Sequence, residues 1–201
     1  GSVLLSAEEG NVDSNNKTSI DSAGSLEVGA AGKVDLSGAK VEYSEAGALR
    51  LAAGSTDSDA LKVFAHENNT FKGAEVVLDS AGGLIFAAEA SITVETSSGQ
   101  AVLKGQKIDL KFGSSVKAAG EATVRGYDSL VLGDKISVGG SSVSITGGQQ
   151  AFSLGNNVSL TATNGGIEVL ADADATLGGS LNVNASLKDP SAGDEAPIRI
   201  G

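Results

Sequence analysis

Two pairs of acids spaced i, i+2, Asp57/Asp59 and Asp172/Asp174, have the type and spacing that suit a hard cation. In a strand, residues i and i+2 leave the same face. Each pair could therefore share a calcium ion with neighbouring carbonyl oxygens. Neither an EF-hand loop nor a Gly-Gly-x-Gly-x-Asp nonapeptide accompanies them, so calcium at these four carboxylates is the only cofactor the residues suggest. A second candidate lies in the stretch 65–73, where His66, Asn68, Asn69 and Phe71 could contact a glycan or a surface protein. One histidine and no cysteine rule out thiolate and multi-histidine metal sites, and a lone His offers no Ser/His/Asp triad. The acids Glu27, Asp35, Glu42, Glu75, Asp109 and Glu168 sit mostly between apolar residues. Alternation sends them away from a core, so they read as solvated surface and not as the paired carboxylates of a glycosidase. Sugar cleavage would also want aromatic platforms or arginine grooves, whereas aromatics are 3% and the arginines are Arg50, Arg125 and Arg199. Gly139-Gly140 and Gly165-Gly166 read as corners, since no phosphate-loop lysine and helix follow them. The expectation is a protein that is not an enzyme.

The elements that would position these side chains are short strands. Apolar residues two apart recur as Leu26/Val28, Val34/Leu36, Val41/Tyr43, Leu49/Leu51 and Leu61/Val63, and on to Ile167/Val169 and Leu181/Val183. Period two marks a strand with one buried face. Units follow one another at about 6–9 residues with Gly, Ser, Ala, Asn or Asp between them, which leaves room for one short strand and a tight corner. No segment carries helix periodicity with caps. The 28 glycines, the absence of Trp, Cys and Met, and an apolar content rich in Ala describe a thin aliphatic core over closely stacked backbones. No regularly spaced threonine array of the kind that would suit ice is evident.

The fold class read from this is all-β, a repetitive short-strand β-helix. A β-sandwich would have longer strands and more aromatics. A single-chain β-solenoid should also show a super-period near 20–30 residues. Only the short period is visible, which favours an intertwined trimeric β-helix over the single-chain solenoid. Gly24-Ser25-Leu26-Glu27-Val28-Gly29, Gly32-Lys33-Val34-Asp35-Leu36-Ser37-Gly38 and Ser142-Val143-Ser144-Ile145-Thr146-Gly147 resemble the β-helical stalks of phage tail spikes and secretion-system spike proteins. They are also similar, more weakly, to sarcoglycan-type ectodomains. The resemblance covers residues 20–186 and implies a homotrimer with a mechanical role, a rigid shaft of an extracellular fibre, spike or adhesin on a cell surface or virion.

Three stretches follow: a polar segment 1–19 with an expression scar at Gly1-Ser2, the β-helix repeats 20–186, and a linker or docking tail 187–201 that holds both prolines. The scar and the absence of Met lead us to expect a piece of a longer protein. Within the repeats, 54–59 and 65–73 delay the next unit. Insertions in repeat folds form outer loops, which makes these two the alternative adhesin surface. A net charge of −11 argues against a nucleic-acid partner, and no apolar run is long enough to insert into a membrane. Self-association, with a surface glycan or protein as second partner, is the expectation. Asn16, Asn68, Asn157 and Asn184 begin N-glycosylation patterns that matter only in a secreted eukaryotic protein.

Overall fold

In the computed structural model, described for residues 1–14, 17–64, 69–86, 91–172, 174–185 and 198–201, the chain winds as a β-solenoid of about seven turns. Each turn lays one short strand on each of three faces. The first face holds β1 (Val3–Ala7), β4 (Leu26–Ala30), β7 (Ala48–Ala53), β10 (Glu75–Ser80), β17 (Val143–Gly147), β20 (Ile167–Ala171) and β23 (Ile198–Ile200). The second holds β2 (Val12–Asp13), β5 (Val34–Asp35), β8 (Leu61–Val63), β11 (Leu84–Phe86), β18 (Ala151–Leu154) and β21 (Ala175–Leu177). The third holds β3 (Ser19–Ser22), β6 (Lys40–Tyr43), β9 (Thr70–Gly73), β12 (Thr93–Thr96), β14 (Ser115–Lys117), β16 (Ser137–Gly140), β19 (Val158–Ala162) and β22 (Leu181–Ala185). Two longer strands, β13 (Ala101–Leu110) and β15 (Ala122–Leu132), bend from the first face to the second, with a register shift between Gly105 and Lys107.

Every ladder is parallel and joins one coil to the next within the same chain. On the first face Val3 faces Leu26, Leu26 faces Leu49, Leu49 faces Val76, Val76 faces Ala101 and Ala101 faces Ala122. The super-period missing from the sequence is therefore present. It is hidden because the coil length drifts, from 27 residues between Leu49 and Val76 to 21 between Ala101 and Ala122. Of the two architectures weighed above, this winding is the single-chain solenoid, since each strand finds its neighbours in its own chain.

Alternation decides what faces inward. Leu26, Leu49, Val76 and Ala101 stack in one inner row, and Val28, Leu51, Leu78 and Leu103 in the next, all buried. The acids Glu27, Asp35, Glu42, Glu75, Asp109 and Glu168 all lie outside that core. The corner between the second and third faces repeats as Leu110–Gly113, Leu132–Lys135 and Leu154–Asn157. Gly113, Lys135 and Asn157 turn there with φ of 76°, 57° and 57°. That left-handed turn suits Gly and Asn better than Lys. Buried hydroxyls brace other corners: Ser114 Oγ donates to the Lys111 carbonyl at 2.7 Å and accepts from the Ile92 N–H of the coil below at 3.1 Å.

The coils begin before the expected boundary at residue 20, because β1 already pairs with β4 and β2 with β5. At the other end Ile198–Ile200 continue the first face by pairing with β20.

Candidate functional site

The stretch 54–59 does not stand out as a free loop. Its backbone is threaded between coils: Gly54 N–H donates to the Ala30 carbonyl below at 2.9 Å, and Ser55 N–H donates to that of Gly32 at 3.0 Å. From above, Gly83 N–H reaches the Asp57 carbonyl at 2.8 Å. Its two acids face lysines. Lys33 Nζ lies 3.0 Å from Asp57 Oδ2 and donates to Asp59 Oδ1 at 2.6 Å. Lys62, set opposite Asp35 by the β5–β8 register, spans Asp35 Oδ2 at 3.1 Å and Asp59 Oδ2 at 3.3 Å.

The result is a five-residue charge network across two coils, with the calcium candidates Asp57 and Asp59 already neutralised by Lys33. Hydrogen bonds from Lys33 and then Lys62 hold the Asp59 carboxyl below its usual range, and Asp59 in turn lifts Lys33. Burial pushes Asp35 up, but the Ser37 hydroxyl and N–H and Lys62 outweigh it, so its carboxyl also sits low.

A folded-state pKa below the unfolded value gives stability that is present above the unfolded pKa and is lost as pH falls through the folded one. The melting temperature is therefore expected to fall as pH drops from 5 to below the ordinary carboxylate range near 4. Replacing both cations, in Lys33→Ala/Lys62→Ala, should flatten that dependence. Parallel pH curves for the variant and the parent protein would show the network does not couple to folding.

Asp172 and Asp174 are not gathered by any such network, and among the described residues no group of three or more His, Asp or Glu converges on a cation position. His66 and Asn68 lie outside the described residues. Asn69 turns with φ 52° immediately before β9. Phe71 is not on a loop at all: it lies in β9, 2% exposed, with ring centroids 5.7 Å from Phe64 and 5.9 Å from Phe86. Tyr43 extends this aromatic column, 6.3 Å from Phe64. Its hydroxyl accepts the Lys72 N–H at 3.2 Å, and burial lifts its pKa to about 12. The longest coils hold the largest side chains because a wider cross-section must be filled to core density. Phe71 is thus a core residue, and a ligand could not stack on it.

The remaining charges repeat the pattern. Glu75 takes Arg50 Nη2 at 2.5 Å from the coil below and Gln100 Nε2 at 2.6 Å from the coil above. Glu95 lies 3.9 Å from both Lys72 and Lys117, and Lys104 lies 3.9 Å from Asp79.

Two surface features went unread in the sequence. The third face aligns Thr70, Thr93, Ser115, Ser137, Ser159 and Asn182 in a single outward row. No spacing along the chain reveals that row, because insertions lie between its members. The second feature is a cleft on the second face beside Ile85, Lys107 and Val131. Its sequence signal was available: Leu84-Ile85-Phe86 and Leu130-Val131-Leu132 are unbroken apolar triplets where alternation calls for a polar middle residue. Comparison with known proteins found no matching family model, no similar curated protein and no similar solved structure.

Proposed function

We propose that this chain is a rigid structural shaft that sets a distance within an extracellular fibre, spike or adhesin and carries no catalytic activity. The observation that supports it is where the charges go. Acids and bases that could have formed a reactive site instead neutralise one another between successive coils, alongside parallel ladders that run the length of the solenoid. Surface ion pairs contribute little stability each, but repeated at successive steps they oppose sliding of one coil over the next. Stiffness then follows from near-neighbour contacts, as in other repeat arrays. The loops at 54–59 and 65–73 support an adhesin less well, since the first is pinned between coils and Phe71 of the second is buried.

A shaft of this kind encodes length in its number of coils. Excision of residues 122–142 brings Val143 onto Ala101, because both pair with Ala122 in successive registers. The shortened protein is expected to fold cooperatively and to be shorter by one strand spacing, about 4.8 Å. Small-angle scattering reads the length and thermal melting the cooperativity. A chain that no longer folds, or that keeps its original length, would count against a modular shaft. Turnover of an acidic polysaccharide by the intact chain would overturn the non-catalytic part. The sequence also led us to expect trimers, and mass photometry near three times 19.8 kDa would show that the shafts act in threes.

A further inference from the structure

The second face is interrupted once. β11 pairs with β8 beneath it, yet none of Leu84–Phe86 pairs with Ile108–Leu110 in the coil above. Gln106 N–H to the Gly82 carbonyl, at 2.6 Å, bonds the two coils just before this point. The break falls where the coils contract, from 25 residues between Val76 and Ala101 to 21 between Ala101 and Ala122. Strands of unequal coils splay, and the gap is a cleft of about 400 Å3, within the range of small-molecule sites.

The cleft walls are apolar, with Ile85, Phe86, Ile108 and Val131 facing it, and Ile85 is 42% exposed. Three charged side chains stand at its rim. Lys111 donates to Asp109, so those two offset each other. Lys107 is exposed and has no ion-pair or hydrogen-bond partner among the described residues. An oily surface beside one uncommitted cation is complementary to a ligand with one negative charge and a hydrocarbon body. A phosphate would want several donors, and a sugar would want a dense set of polar partners; the walls offer neither.

We propose that this cleft binds a small amphipathic carboxylate, with the carboxylate on Lys107 and the hydrocarbon portion against Ile85 and Val131. The proposal is independent of the shaft reading and can fail without it.

Octanoate is a suitable probe, titrated into the intact chain and followed through the methyl resonances by carbon–proton NMR. The expected result is saturable binding with a Kd on the order of 1 mM, as ligands of this size allow. Shifts should be confined to Ile85, Ile92, Ile108 and Val131. Lys107→Glu should weaken binding at least about tenfold, with melting temperature unchanged because the side chain is exposed. Lys104→Glu makes the same charge change on the first face and should leave the titration as it was. The proposal is overturned if octanoate gives no saturable shift, if the shifts fall on Leu177, Ile198 and Ile200 instead, or if the two lysine variants weaken binding equally.

Discussion

Phe71→Ala is expected to cost about 3–5 kcal/mol of unfolding free energy, the range for removing a large aromatic from a packed core. The ring is 2% exposed and is held edge-on to Phe64 at 5.7 Å and tilted against Phe86 at 5.9 Å. Truncation leaves a void in the coils that need the most filling, and the coils above and below are each pinned by their own ladders, so collapse around the void is limited. The exposed Phe112→Ala is the comparator. Its ring is 60% exposed and meets only the Lys135 ammonium, 5.1 Å from the centroid. An exposed contact of that kind is worth about 0.5–1 kcal/mol. Urea midpoints by circular dichroism separate the two. A Phe71 variant that unfolds within about 1 kcal/mol of the parent would mean that the aromatic column does not hold the wide coils together.

Gly148→Ala should be comparably damaging for a different reason. A Cβ built at Gly148 runs into the Tyr127 carbonyl and lies 2.6 Å from the Asp128 nitrogen, so it meets backbone on the coil below and has no flexible side chain to push aside. Overpacking of this kind costs about 1–3 kcal/mol, and more where nothing can yield. Gly139, in the middle of β16, makes the opposite case. A Cβ there meets nothing nearer than the Thr161 carbonyl at 3.6 Å, an ordinary contact. Gly139→Ala should stabilise by about 0.5–1 kcal/mol, since alanine gives up less chain entropy within a strand. Thermal melts of the two variants should move in opposite directions. Movement in the same direction would show that corner glycines are not there for close backbone approach.

These two tests mark how far the residues could be read directly. The pairs Leu26/Val28 and Ile167/Val169, two apart and bounded by small residues, are enough to predict strands and an inward aliphatic face, and the structure places them so. The outward position of Glu27 or Glu168 follows from the same alternation. These are local properties: side-chain direction along a strand has a period of two wherever the strand sits.

What the chain does across coils is another matter. Phe71 read as a loop aromatic because polar residues precede it, yet β9 carries it into the core beside Phe64. Asp57 and Asp59 read as a bare acid pair, yet Lys33, a full coil away, lies between them. The row of Thr70, Thr93, Ser115 and Ser137 and the splay that opens the cleft at Lys107 depend on coils of unequal length coming into register.

The sequence by itself therefore determined that this is a small-residue, strand-repeat protein with its acids facing outward, because alternation and corner chemistry act over a few residues. Only the tertiary structure decided that one chain closes each coil, that the acids are used up between coils, and that one cation is left over beside an apolar cleft. Those outcomes depend on register between residues separated by some 21 to 27 positions, and a drifting coil length erases register from the linear pattern.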